Sequence, residues 1–144
     1  MPNNALTWRP HDVQGGPTCL IIEDSHFDHK MMTRVIDRAQ SNVVIKLATT
    51  LRAARMQLAS EDISMIFLDN NLPDGTGVEF ALNLATDPKL NHIPIIMVSD
   101  WPTPFMWDKA DKAGVMSVIK KSEFTVPFVR MALRATTRKL RKAG

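Results

Sequence analysis

Five short, largely apolar runs constrain this chain more than any other feature. They fall at 19–22, 42–47, 65–68, 93–98 and 115–119, and a stretch of helical character follows each, at 26–39, 50–59, 77–86, 105–113 and 125–142. A strand with one face in water alternates apolar and polar residues, whereas a strand that stays apolar needs cover on both faces. Five strand-then-helix repeats of this kind predict a doubly wound α/β sandwich, a parallel sheet with helices on each side. In the first helix, Phe27, Met31, Val35 and Ile36 are expected on one face, with Ser25 or Asp24 as the cap. In the third, Val78, Leu82 and Ala85 are expected to point inward.

The length, 144 residues, is that of one domain, and 44% hydrophobic content suffices for one core. The strand count and pattern suit a five-stranded flavodoxin-like sheet. Residues 1–17 hold Pro2, Pro10, Gly15, Gly16 and Pro17 and read as a flexible arm before a domain at 18–144, with Trp8 the one arm residue suited to docking. No apolar run approaches the roughly 18–20 residues that span a bilayer, and residues 1–18 lack the apolar core of a secretory signal. A single cysteine, Cys19, excludes an internal disulfide framework and reads as buried packing. A cytoplasmic chain is the expectation.

The net charge of +3 conceals an asymmetry. Arg130, Arg134, Arg138, Lys139, Arg141 and Lys142 cluster at the end with no acid among them, so the remainder has 12 bases against 15 acids. The plain reading is a solvated last helix whose cations suit its C-terminal dipole. No DNA-binding motif or interleaved aromatics accompany it, so direct DNA contact is not expected.

Sites in open parallel sheets form at the carboxyl ends of the strands, near the point where strand order reverses. There the sequence places Glu23 and Asp24, Asp69, Ser99 and Asp100, and Lys120 and Lys121. Carboxylates crowded together repel unless a cation lies between them. Mg²⁺ suits oxygen ligands, a carboxylate can accept a phosphoryl group, and a lysine and a hydroxyl can stabilise the charge that results.

The segments 20–24, 66–75, 95–99 and 113–121 together resemble the response-regulator receiver domain, the phosphoacceptor module of two-component signalling. The resemblance covers about residues 18–142. It implies that Asp69 is the phosphoacceptor, Glu23 and Asp24 the acidic pair for Mg²⁺, and Asn71 the donor of a backbone carbonyl to that ion. Ser99 becomes the switch hydroxyl. The family's lysine lies seven residues after the glycine of the fifth-strand motif, here Gly114, so the resemblance prefers Lys121 to Lys120; strand neighbours face opposite sides, so only one of the two can enter the pocket. The implied partner is a sensor histidine kinase or a histidine phosphotransfer protein, with output to a downstream protein or a second copy. The chain ends about where such a domain ends, so no output domain is expected after it.

Three positions depart from the family pattern. Ser122 replaces the usual proline after the lysine, Val118 the aromatic switch residue, and Asp100 the small residue after the switch hydroxyl. Trp101-Pro102-Thr103-Pro104 makes a stiff, bulky link in which Trp101 is placed to cover the pocket mouth. These departures keep open a pseudo-receiver, a binding or dimerisation module without switching. A phosphohydrolase needs a second Asp two residues after the first, and position 71 is Asn. Gly75 and Gly77 read as turn glycines, and His11, His26, His29 and His92 as surface residues. Met31, Met32 and Met106 suit an adaptable contact surface.

Overall fold

The structure is a computed structural model that describes residues 16–143, with side chains from 16 to 136. Most of the arm, with Trp8 and His11, and the basic side chains beyond 136 lie outside the described residues.

The strands are β1 (Thr18–Ile22), β2 (Val44–Ala48), β3 (Met65–Leu68), β4 (Asn71–Leu72), β5 (Gly75–Thr76), β6 (Ile95–Ser99) and β7 (Ser117–Lys120). The helices are α1 (His26–Ala39), α2 (Leu51–Ser60), α3 (Gly77–Ala85), α4 (Pro104–Lys112) and α5 (Val126–Ala143). Five strands form a parallel sheet in the order β2-β1-β3-β6-β7, the doubly wound arrangement that the apolar runs predict. The small β4–β5 hairpin was not legible as strand; it is an antiparallel pair of two residues a side.

Successive residues of each central strand enter opposite layers. Leu20, Ile22, Ile66, Leu68 and Met97 pack with α2, α3 and α4 residues such as Leu58, Phe80 and Met106. Cys19, Ile21, Met65, Phe67, Ile96 and Val98 pack with Met32 and Ile36 of α1 and Val129 and Leu133 of α5. This two-sided burial is the physical reason the runs carry no polar alternation. Phe67 meets Phe124 edge-on at 5.1 Å.

The first four helices all start on a hydroxyl. Ser25, Thr50, Thr76 and Thr103 each accept a bond from the backbone N–H three residues on, satisfying a donor that the helix leaves free.

Several expected faces are corrected. Phe27 is 79% exposed, and the buried residues of α1 are His29, Met32 and Ile36. The helix is rotated from the face expected, because position 29 follows the spacing to 32 and 36. His29 is therefore a core residue, not a surface one. Met32 and Met106 are core residues too, at 2% and 3% exposure, so they offer no contact surface. In α3 the buried set is Gly77, Val78, Phe80, Ala81 and Leu84 rather than Val78, Leu82 and Ala85.

Gly77 is more than a turn former. A Cβ there would meet the Asp69 carbonyl oxygen at 2.2 Å, because α3 begins hard against the end of β3. Gly114, by contrast, has φ +72° and open space around its Cβ position. Gly77→Ala should therefore cost about 1–3 kcal/mol by overpacking and move the Asp69 backbone. Gly114→Ala should cost about 1 kcal/mol through backbone conformation alone. Urea denaturation with amide NMR checks both, and unchanged Asp69 and Asn70 shifts in Gly77→Ala would contradict the close approach.

Candidate functional site

Backbone pairing builds the site. The Glu23 N–H donates to the Ala48 carbonyl at 3.0 Å, and the Asp69 N–H to the Ile22 carbonyl at 3.0 Å. Parallel register thus carries past the last apolar residues of β1 and β3 and sets Glu23 beside Asp69. This is the point where strand order reverses, with β2 on one side of β1 and β3 on the other.

Glu23 is 1% and Asp69 6% exposed, while Asp24 stands in solvent. One carboxylate oxygen from each of Glu23, Asp24 and Asp69 lies within 4.8 Å of the others. Glu23 Oε2 accepts from the Ser25 N–H at 3.0 Å, and Asp69 Oδ1 from the Asn70 N–H at 2.9 Å. Glu23 Oε1 is buried and lies 2.9 Å from Lys121 Nζ, but no donor is aligned with it as a hydrogen bond. The contact is an ion pair that leaves a lone pair free. An all-oxygen set with such an atom suits a hard divalent cation.

Lys121 opens a 3₁₀ turn, Lys121–Glu123, directly after β7, and its side chain is 12% exposed. It enters the site while Lys120 is exposed. Its Nζ lies 2.6 Å from Asp28 Oδ2 and 3.7 Å from Asp100 Oδ2. No peptide bond among the described residues is cis, so Ser122 follows Lys121 through a trans bond. Ser99 ends β6 at 2% exposure, and its Oγ accepts from the Trp101 N–H at 3.3 Å. Asn71, exposed in β4, follows Asp69 closely. Val118 is buried in β7.

The structure thus brings together Glu23, Asp24, Asp69 and Lys121, with Ser99 and Asp100 at neighbouring strand ends. It does not bring in Trp101. That side chain is 84% exposed and does not cover the pocket mouth. Asp28 was not anticipated. Its only signal is its place in the first turn of α1, one helical turn beyond Asp24.

Burial chiefly, and then the Glu23 charge, push the Asp69 carboxyl up to about 6, against the lowering effect of Lys121 and the Asn70 and Asn71 N–H groups. For Lys121, burial acts to lower the pKa. The hydrogen bond to Asp28, the close contact with Glu23 and the charges of Asp69 and Glu23 outweigh it, so the ammonium is held above its ordinary range. Burial pushes the Cys19 thiol up to about 12, which leaves it inert. Exposed Asp74 accepts from the Leu51 and Arg52 N–H groups at 2.9 and 3.0 Å, ties the loop after β3 to the start of α2, and has its pKa lowered by these bonds.

A family model for the response regulator receiver domain matches residues 19–131. The two-component response regulator ORR8 of Oryza sativa subsp. indica is 30% identical over 106 residues, 73% of this chain and 86% of that protein. The CheY-like response regulator receiver domain protein of Methanospirillum hungatei JF-1 superposes with a TM-score of 0.78 at 16% identity, covering 90% of this chain and 99% of that one. The Mn²⁺-bound form of response regulator Rcp1 gives a TM-score of 0.71 at 21% identity, covering 79% and 89%. Among the described residues no helix is long and apolar enough to cross a membrane.

The raised Asp69 pKa has a sign for stability. Between the unfolded value, 3.8, and about 6, the folded state binds more protons, so stability falls as pH rises through that window and stays lower above it. Asp69→Asn removes this penalty and keeps the acceptor for Asn70. In chelator it should be more stable than wild type by about 1–3 kcal/mol at pH 7.5, with the gain vanishing near pH 4. Urea midpoints across that range check this, and a constant difference would contradict it.

Proposed function

The chain belongs to the response regulator receiver domain family, and on that footing we propose that it is a phosphoacceptor whose acceptor atom is on Asp69. The observation that carries this is the buried Asp69 carboxylate clustered with the Glu23–Asp24 acidic pair, with the Lys121 ammonium paired to Glu23. As a receiver it is a signalling domain rather than a conventional enzyme.

In the proposed reaction the Asp69 oxygen not held by Asn70 attacks the phosphorus of a phosphohistidine. A new O–P bond forms as the N–P bond breaks, and the donor's imidazole leaves with the bonding electron pair. With a pKa of about 6, Asp69 is largely ionised above neutrality, so the nucleophile needs no separate base. The Asn70 N–H fixes the carboxylate plane. Ser99 lies at the adjacent strand end, where its hydroxyl proton is suited to a phosphoryl oxygen. Lys121 supplies positive charge opposite the acidic pair.

Glu23, Asp24 and Asp69, with the Asn71 backbone carbonyl, are the proposed holders of Mg²⁺; the related fold of Rcp1 binds Mn²⁺. Bound there, the cation neutralises the carboxylates and the charge on the transferring group. The partner that supplies the phosphoryl group is a sensor histidine kinase or a histidine phosphotransfer protein, and output passes through protein contacts.

The site also has a feature that favours the pseudo-receiver alternative: Lys121 is engaged by Asp28 and approached by Asp100, neither of which is the acceptor. Incubation with acetyl phosphate and Mg²⁺, followed by intact mass, separates the two. Wild type should gain one phosphoryl group. Asp69→Asn should gain none, and chelator should reduce labelling by on the order of 100-fold. An unlabelled wild type selects the pseudo-receiver, and equal labelling of Asp69→Asn rejects this acceptor.

A further inference from the structure

Lys121 has its shortest contact with a carboxylate outside the acidic pair. Its Nζ is 2.6 Å from Asp28 Oδ2, against 2.9 Å from Glu23 Oε1 and 3.7 Å from Asp100 Oδ2. Among the described residues it makes no ion pair with Asp69, which reaches it only through longer-range charge. The Asp28 contact is a charge-assisted hydrogen bond across 93 positions of sequence, between side chains 12% and 19% exposed. Such bonds are stronger than neutral ones, and partial burial limits screening. Asp28 is also rigidly mounted: its N–H is capped by Ser25 Oγ at 3.2 Å in the first turn of α1.

An ammonium has three donors. Two already face Asp28 and Glu23, and Glu23 belongs to the carboxylate set suited to a cation. Of the two described carboxylates within 3 Å of Lys121 Nζ, Asp28 is the one outside that set. Phosphoryl oxygens on Asp69 would draw on the same ammonium and must compete with it.

We propose that Asp28 is a positioning residue that holds the Lys121 ammonium back from Asp69 and so restrains phosphoryl transfer. This rests on the phosphoacceptor reading above. Asp28→Asn keeps the shape and one acceptor oxygen but removes the charge. Asp28→Glu keeps the charge.

A double-mutant cycle with Lys121→Met tests it. Acetyl phosphate labelling should be about fivefold faster in Asp28→Asn, and near the wild-type rate in Asp28→Glu. In the Lys121→Met background, Asp28→Asn should leave the residual rate unchanged. Urea denaturation of the same proteins should show coupling between positions 28 and 121 whether or not they are labelled. Slower labelling of Asp28→Asn, or an equal change with and without Lys121, overturns the restraint. Absence of coupling in urea overturns the positioning itself. An unlabelled wild type defeats the phosphoacceptor reading and the restraint with it, while the urea cycle still decides whether Asp28 positions Lys121.

Discussion

Parallel register between β1 and β3 forces two carboxylates into one dry crevice, and most of the molecule's chemistry answers that crowding. Glu23 and Asp69 follow residues 19–22 and 65–68, all of them buried, and are themselves 1% and 6% exposed. Two like charges so placed cost free energy unless something positive joins them. Lys121 supplies one compensation from the far end of the chain, and the all-oxygen cluster offers a cation the means for a second. Carboxylates crowded in this way gain from any positive charge that joins them.

The loop after β3 keeps that crevice in shape. Asn70 bonds Asp69 through its N–H and receives the Val78 N–H on its side-chain oxygen at 3.1 Å. Its carbonyl takes the Gly77 N–H at 2.9 Å. Asp74, from the same loop, caps the two leading N–H groups of α2. The Asp69 carboxylate is therefore bounded by a segment pinned to two helices, and Gly77 is there because no Cβ fits between α3 and the Asp69 backbone. Rigidity of this kind holds a reacting oxygen in place, which is the main demand of phosphoryl transfer.

The sheet was legible because burial on both faces leaves a one-dimensional mark: CLII and MIFL have no polar residue to place in water. Asp69, Glu23, Ser99 and Lys121 were legible as a set because strand ends in such a sheet converge. The preference for Lys121 over Lys120 came from the family's spacing after Gly114, with strand alternation admitting only one of the pair, and the structure puts Lys120 outside. What escaped notice depends on helix rotation and on long-range pairing. Phe27 read as core because it falls at helical spacing with Met31, Val35 and Ile36, yet the α1 stripe runs through His29, Met32 and Ile36. Once that face is fixed, Asp28 falls beside Lys121, a contact no local pattern announces. The placement of Trp101 failed too: the side chain's bulk suggested a cover, but it stands 84% exposed.

The prolines at 102 and 104 bear on how a change at the site could travel. The Ser99 hydroxyl accepts the Trp101 N–H, so the oxygen suited to meet a phosphoryl group also holds the start of the next loop. A hydroxyl has one proton to give and can accept at the same time. Turning that proton toward Asp69 redirects the lone pairs that the Trp101 N–H uses. Pro102 and Pro104 cannot absorb the movement at φ, and Thr103 is committed as the cap of α4. The loop leads to a surface that carries Trp101, Phe105 and Trp107, all more than half exposed. In β7, by contrast, Val118 is buried, stiff at χ1 and without a ring to swing. Among the described residues the β6–α4 link thus joins a contact at Ser99 to an exposed aromatic end.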